Sequence, residues 1–342
     1  MNNLKILIVG AVNEFCLETS YANAAKNIGA EVIRFDPSVE ILKHIKFNKI
    51  GKMIHDFLNV EVWTRKMNRE LVVKVHEEKP NIILLVGGAK VLFGTLATIK
   101  VIRPTCKIVW IWPDTPMNLN ANNLNYRSII DLSATYSKAS VQVFNSLGFK
   151  NVHWVPLAGD LFLHGNKVKE NNHFDCDISF VGMWRPEREK IMQTINTYFS
   201  HLKIEIYGNY WKRNCKNEQL MKKWKGNGFY AKSLSNHFNN TKISLNIIDD
   251  TNYPAANMRF FEIPTSGGFQ ICSSCPEMET IFQEGEDILY FKNSDELIEK
   301  VNWALNNTDS LQRIKKAAQL KINMQHNYSI RMQQILDLLH NS

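Results

Sequence analysis

No stretch of the 342 residues approaches the roughly 18 consecutive apolar residues that a membrane-spanning helix needs. The first apolar run, Ile6 to Val9, is too short for the core of a secretory signal, and no small-residue cleavage site follows it. A first strand in a cytoplasmic chain is the expectation. Cysteine is sparse: of six, only Cys272 and Cys275 stand in C-x-x-C spacing. A structural zinc site needs two such pairs or matching histidines, so reduced structural thiols and no metal are expected. With Gly 16 and Pro 10, the chain is neither collagen-like nor of low complexity. Three nucleotide or nucleophile signatures are missing too. Gly10 is followed by Ala-Val-Asn, so G-x-G-x-x-G is absent after the first strand; the P-loop and G-x-S-x-G are absent throughout. Dinucleotide redox chemistry, P-loop hydrolysis and α/β-hydrolase chemistry lose support accordingly.

What is present fits about two domains at roughly 150 residues each. The apolar share of 44% and charged share of 22% are ordinary for a globular chain. Lys and Arg number 41 against 33 Asp and Glu, a net +8. Residues 1–160 carry 19 basic and 13 acidic residues, so most of the excess lies in the first half. Such an excess suits nucleic acid, an anionic surface or an anionic small substrate.

The pattern alternates strand and helix. Apolar runs at 4–10 (LKILIVG), 31–35, 82–86 and 107–112 (KIVWIW) read as buried strands, with a helix near 17–28 and a mostly helical 38–79. Strand, helix and strand again fill 129–155. Residues 157–175 are polar and read as a linker. A second series follows: strands at 177–181, 203–207, 243–248, 269–272 and 287–290, with helices at 187–199, 211–225, 257–264, 294–306, 309–325 and 329–340. Alternation of this kind implies parallel sheets.

Two stretches hold the chemistry. In YPAANMRFFEIPTSGG, residues 253–268, Arg259 and Glu262 are three apart and share a helix face. A carboxylate there can accept two ribose hydroxyls, an arginine one turn earlier can fork onto a phosphate, and the amides near Ala256 and Asn257 add donors. An ordinary i,i+3 ion pair is the plain alternative. In FVGMWRPER, residues 180–188, Gly182 lets a diphosphate lie against the backbone, and Arg185 and Arg188 counter its charge as the Pro186 helix starts. A solvated helix start is the alternative there.

The order of these pieces resembles the carboxy-terminal half of CgeB-like glycosyltransferases, GT-B enzymes related to the broad family 1 and family 4 sugar transferases. The similarity rests on strand–Gly with P-x-x-R (180–188), strand–Gly-x-x-W (206–211), L-N-x-x…N-x-R-x-F-E-x-x-x-x-G-G (245–268), E-G-E-D-x-L-x-F with a D-E-L helix (277–298), and H-x-Y-S-x-R (326–331). It spans about residues 175–335, and more loosely KPNIILLVGG, KIVWIWPDTP and VHWVPLAGD in the first half. The resemblance implies an α/β GT-B fold, two Rossmann-like doubly wound domains facing a central cleft. The expected division is an acceptor domain over 1–157, a hinge over 158–175, a donor domain over 176–325, and a closing helix over 326–342 that crosses back. It implies a nucleotide-diphosphate sugar donor, with Glu262 on the ribose. Gly182, Arg185, Arg188, Asn257 and Arg259 stand near the diphosphate, and Gly208 and Gly267 complete the donor set. The E-x7-E signature is not intact: Pro254 stands eight residues before Glu262, so no glutamate is carried over to the sugar ring.

Transfer then needs neutralisation of the leaving pyrophosphate, which arginines and helix amino-termini can supply without metal. No cofactor is expected. A base for the acceptor hydroxyl is sought past the end of a first-domain strand, and Asp114 is the candidate, with a turn role in P-D-T-P as the alternative. Asp249-Asp250 reads as a turn rather than a metal motif. The basic first half points to an acceptor that is anionic or membrane-associated, at the inner membrane face. Two other readings compete: a GT-B nucleotide-sugar epimerase, and a nucleic-acid binder using Lys212, Arg213, Lys216, Lys222, Lys223 and Lys225 with Trp211 and Trp224. Nucleic acid is the least favoured partner.

Overall fold

A computed structural model describes residues 4–46, 48–58, 60–169 and 173–341. They form two compact units. One gathers the residues up to Pro156 together with Ser329 onward; the other is Leu157–Tyr328.

The first unit is built on six parallel strands: β1 (Lys5–Val9), β2 (Glu31–Phe35), β3 (Ile82–Val86), β4 (Lys107–Trp112), β5 (Leu132–Thr135) and β6 (Val152–Trp154). Their order is β2-β1-β3-β4-β5-β6. Strands covered by helices on both faces are apolar almost throughout, which is why IILLV and KIVWIW show no alternation; every residue of β3 is buried. Beneath the sheet, the fully buried Trp110 packs against Tyr126, Phe144 and Phe149 with ring centroids 5.6, 5.7 and 5.2 Å away. The segment read as mostly helical resolves into three helices, Pro37–His44, Asn48–Leu58 and Glu61–Glu78. The Asp36 carboxylate caps the first by accepting from the Ser38 and Val39 amides. The chain's last helix, Tyr328–His340, joins this unit from Ser329 on: Arg331 Nε donates to the Pro156 carbonyl at 3.0 Å and Gln334 to that of Trp154 at 3.2 Å.

The second unit has its own parallel sheet: β7 (Cys176–Val181), β8 (Ile204–Tyr207), β9 (Trp224–Gly226), β10 (Thr241–Asn246), β11 (Gln270–Ser273) and β12 (Leu289–Phe291). The order is β12-β11-β10-β7-β8-β9, the Rossmann arrangement of six strands. Ile178, Phe180, Ile206, Ile243 and Leu245 of the central strands share one core with Met192, Ile195 and Trp211 from the flanking helices.

Four local expectations are corrected. The basic stretch 211–225 is not one helix: Trp211–Asn214 ends, Asn217 caps a new start at Glu218–Lys223 by accepting from the Leu220 amide, and Trp224–Gly226 becomes β9. Pairing to β8 and a bond from Trp224 Nε1 to the Gly208 carbonyl, 3.1 Å, outweigh local helix propensity. The helix expected over 257–264 spans Arg259–Thr265, and the last strand is Leu289–Phe291 rather than 287–290. The helix Ala231–Asn239 carried no sequence expectation. Within 158–175, Leu161–His164 is helical under an Asp160 cap, and residues 170–172 lie outside those described.

One buried charge has a measurable consequence. Lys315, on helix Thr308–Gln325, is 1% exposed, and its Nζ has no hydrogen-bond partner among the described residues. It stands over the Phe174 ring, 5.4 Å from the centroid. Burial, with a smaller push from Lys169, lowers its pKa to about 8. The unfolded chain holds that proton up to its ordinary value, so stability rises with pH between the two values, and the cost is complete below the lower one. Lys315→Met is expected to stabilise the unit by roughly 2–3 kcal/mol at neutral pH. In thermal melts the gain shrinks as pH rises through the alkaline window. A gain of the same size at all pH values would remove the buried charge as its cause.

Candidate functional site

In an open α/β sheet, ligands sit outside the carboxyl ends of the strands where the strand order reverses. In the second unit that point lies between β7 and β10. Just past β7 comes Gly182; its amide donates to the Tyr207 carbonyl at 2.9 Å, and its carbonyl accepts from Trp211 Nε1 at 2.9 Å. Gly208, past β8, has φ +148, and a Cβ there would stand 1.9 Å from the Gly182 carbonyl oxygen. Glycine at 208 therefore lets two strand ends close up.

Three arginines converge here. Arg188, on helix Pro186–Tyr198, is 7% exposed. Its Nε donates to the Ile247 carbonyl at 3.2 Å, Nη1 to that of Met183 at 3.0 Å, and Nη2 to the Asp249 carboxylate at 2.8 Å. Its guanidinium is thus committed to protein acceptors, and it braces the ends of β7 and β10 together. Burial lowers its pKa; Asp249 opposes this, while Arg185 and Arg259 add to it. Asp249 was not singled out as a partner in the sequence. Burial alone would raise its pKa, but bonds from Thr251 and Asn252 and the charge of Arg188 hold it below the ordinary value. An acidic residue three places past a strand end was the available signal.

Arg185 precedes the same helix, which has Pro186 at its first position. Its Nε is buried and has no hydrogen-bond partner among the described residues. Arg259 Nε donates to the Val181 carbonyl at 3.2 Å, and its Nη1 pairs with the Glu262 carboxylate. Glu262 is 6% exposed, which sets this pair apart from a solvated surface one. Asn257 Nδ2 donates to Asn246 Oδ1 at 3.0 Å, tying the loop to the end of β10, while its own Oδ1 is buried without a partner among the described residues. The amides of Phe260, Phe261 and Glu262 already donate to the carbonyls of Asn257 and Met258. The helix starts two residues later than the sequence suggested, so the amides near Ala256 and Asn257 precede it.

Gly182, Arg185, Arg188, Gly208, Asn257, Arg259 and Glu262 therefore gather around the β7/β10 switch point. Gly267 does not. With φ +75, it ends the Arg259–Thr265 helix, where the Gly267 and Gly268 amides return to Pro264 and Ile263.

In the first unit the order reverses between β1 and β3. Asp114 lies two residues past β4, the neighbour of β3, and is exposed. Both its oxygens serve the turn: Oδ1 accepts from the Thr115 amide and Oδ2 from Asn118 Nδ2, each at 2.7 Å.

Residues 185–337 match a protein family described as glycosyl transferase-like. No curated protein matches the chain by sequence. Among solved structures, the chain is similar to Anabaena Alr3699/HepE in complex with UDP and glucose, at 14% identity and a TM-score of 0.66, covering 99% of this chain and 100% of that one. A glycosyltransferase from Rickettsia africae ESF-5 aligns at 12% identity and a TM-score of 0.68, covering 100% and 99%. Sucrose-phosphate synthase from Thermosynechococcus elongatus aligns at 10% identity and a TM-score of 0.65, covering 99% of each chain. The fold is that of GT-B glycosyltransferases, with two Rossmann-like six-stranded parallel sheets, and the glycosyl transferase-like segment takes in Arg185, Arg188, Asn257, Arg259 and Glu262.

Proposed function

We propose that the chain is a hexosyltransferase of the CgeB-like kind. It would move a sugar from a nucleotide-diphosphate sugar to a hydroxyl of a glycan, lipid-linked or protein acceptor, without metal. The observation that carries this is the arginine cluster at the β7/β10 switch point: Arg185, Arg188 and Arg259 against the carboxylates of Asp249 and Glu262. The cluster sets three guanidinium groups where an open α/β sheet binds its ligand, with Glu187 a further carboxylate acting on Arg188. The glycosyl transferase-like match over 185–337 supports the reading, as does the UDP seen with the Anabaena protein.

In this reaction the acceptor oxygen forms a bond to the anomeric carbon, and the bond from that carbon to the diphosphate breaks. The nucleoside diphosphate leaves with the electron pair. Arg185, whose Nε has no partner among the described residues, meets the growing phosphate charge, while Arg188 holds the two strand ends in register around it. Glu262 keeps one oxygen on Arg259 and offers its remaining acceptor sites to the ribose hydroxyls. Asp114 takes the acceptor's proton, with Thr115 and Asn118 fixing its carboxylate.

A thermal-shift screen against UDP, GDP, dTDP, CMP and ADP sugars tests the reading. At about a hundredfold excess over Kd, the matching donor stabilises by about 2.7 kcal/mol. No shift with any of them would overturn the donor site. Diphosphate release that depends on an added acceptor separates transfer from epimerisation, which turns over the donor alone.

A further inference from the structure

Helix Asn48–Leu58 is turned inside out. Ile50, Met53, Ile54, Phe57 and Leu58 recur at the i, i+3, i+4, i+7, i+8 spacing that normally marks the core-facing stripe of a helix. Here that stripe faces solvent: Phe57 is 88% exposed, Leu58 68%, Met53 67% and Ile50 64%. The face turned inward holds Gly51 and His55 instead, the latter with its ring 5.7 Å from that of Trp63. Single exposed apolar residues are common; a whole stripe of them at helical spacing marks a contact surface.

The surrounding charge is positive. Lys43, Lys46, Lys49 and Lys52 are all exposed, and Asp56 is the sole acidic residue of the sequence between 43 and 58. By helical spacing, Lys49 and Lys52 project from one edge of the stripe. An apolar face bordered by lysines is the arrangement of a helix that lies in the plane of an anionic bilayer, side chains in the acyl boundary and ammonium groups among the headgroups. Eleven residues rise only about 16 Å, so the helix cannot cross, and among the described residues no helix is long and apolar enough to do so. A second copy of the chain fits less well, because a two-fold contact sets the same lysines against each other.

We propose that this face of the first unit is a docking surface for an anionic lipid bilayer. The surface is independent of the transfer reaction, and the nucleotide-dependent thermal shift reads that reaction separately.

The test is co-sedimentation of the full chain with phosphatidylcholine vesicles, with and without about a third phosphatidylglycerol. Binding is expected to the anionic vesicles, at least tenfold tighter than to neutral ones, and weakened at roughly 0.5 M salt. The Ile50→Ser/Met53→Ser/Phe57→Ser variant loses at least tenfold in partitioning with its melting curve unchanged, because these side chains are already in solvent. Lys49→Gln and Lys52→Gln each cost about fivefold. Equal binding to neutral vesicles, no binding to either, or wild-type binding by the triple variant overturns the proposal. So does a concentration-dependent dimer, seen in sedimentation equilibrium and dissolved by the triple variant, which would assign the stripe to a second copy.

Discussion

Arg188→Met is expected to lower the stability of the second unit by about 3–5 kcal/mol, the cost of stranding one member of a buried ion pair. For a unit of this size that is a fall of roughly 10 °C in its melting transition. The guanidinium bonds two carbonyls and a carboxylate from segments 59 and 61 residues away in sequence as well as from its own loop. Methionine fills the space of the stem and satisfies none of them. Asp249, 5% exposed, then keeps Thr251 and Asn252 but loses its counter-charge. The pair also sets an acid limit. The folded-state pKa of Asp249 is lowered, so its contribution is complete above the ordinary carboxylate range and disappears as pH falls through the folded value. The variant lacks that acid-sensitive part. Arg188→Met/Asp249→Asn should be less damaged than the two single changes added together, because no buried charge is left alone. A loss below about 1 kcal/mol in Arg188→Met would show the pair to be no better than a surface one. Donor affinity falls along with stability, since the ends of β7 and β10 lose their brace.

Glu262→Ala is expected to weaken nucleotide-sugar binding at least a hundredfold. Two hydroxyl bonds to an ionised carboxylate contribute about 1.5–3 kcal/mol each. The change also releases Arg259, whose side chain is 22% exposed and has Val181 as its other partner. Calorimetry with the donor found by thermal shift separates the two roles. If Glu262 serves only Arg259, the variant melts lower but binds donor as wild type does. If it holds the ribose, affinity collapses in protein that is still folded. Glu262→Gln should fall between, because it keeps one acceptor oxygen and loses the charge.

Much of the architecture is local, and the sequence carries it. KILIV, IILLV, KIVWIW and DISFV are strands in both readings. A strand buried on both faces needs apolar residues in an unbroken run, and glycine, proline or Asx residues must end it. The strand–glycine–helix order at 180–188 and the glycosyl transferase-like region are equally matters of short-range pattern. Two of the boundaries that moved, at 211–225 and 257–264, lie where a partner outside the segment decides: β8 and Gly208 claim Trp224, and Asn246 claims Asn257.

The use made of each charged residue belongs to the same second class. Arg185 and Arg188 are three places apart in one motif and look equivalent in sequence. The fold commits one to Ile247, Met183 and Asp249 and leaves the Nε of the other without a partner among the described residues. Arg259 and Glu262 are spaced like any surface pair, and burial beside β7 makes them something else. The stripe from Ile50 to Leu58 was legible as helical, but periodicity is silent on direction, and only packing turned Gly51 and His55 inward and Phe57 out. Sequence by itself determined the alternating strands and helices, the two-unit scale and the strand–glycine–helix motif at 180–188, because each depends on neighbours within a few residues. Tertiary structure alone decided which arginine braces, which keeps an Nε without a partner among the described residues and which apolar face meets the outside, because those outcomes depend on chain segments that meet only once the sheets have formed.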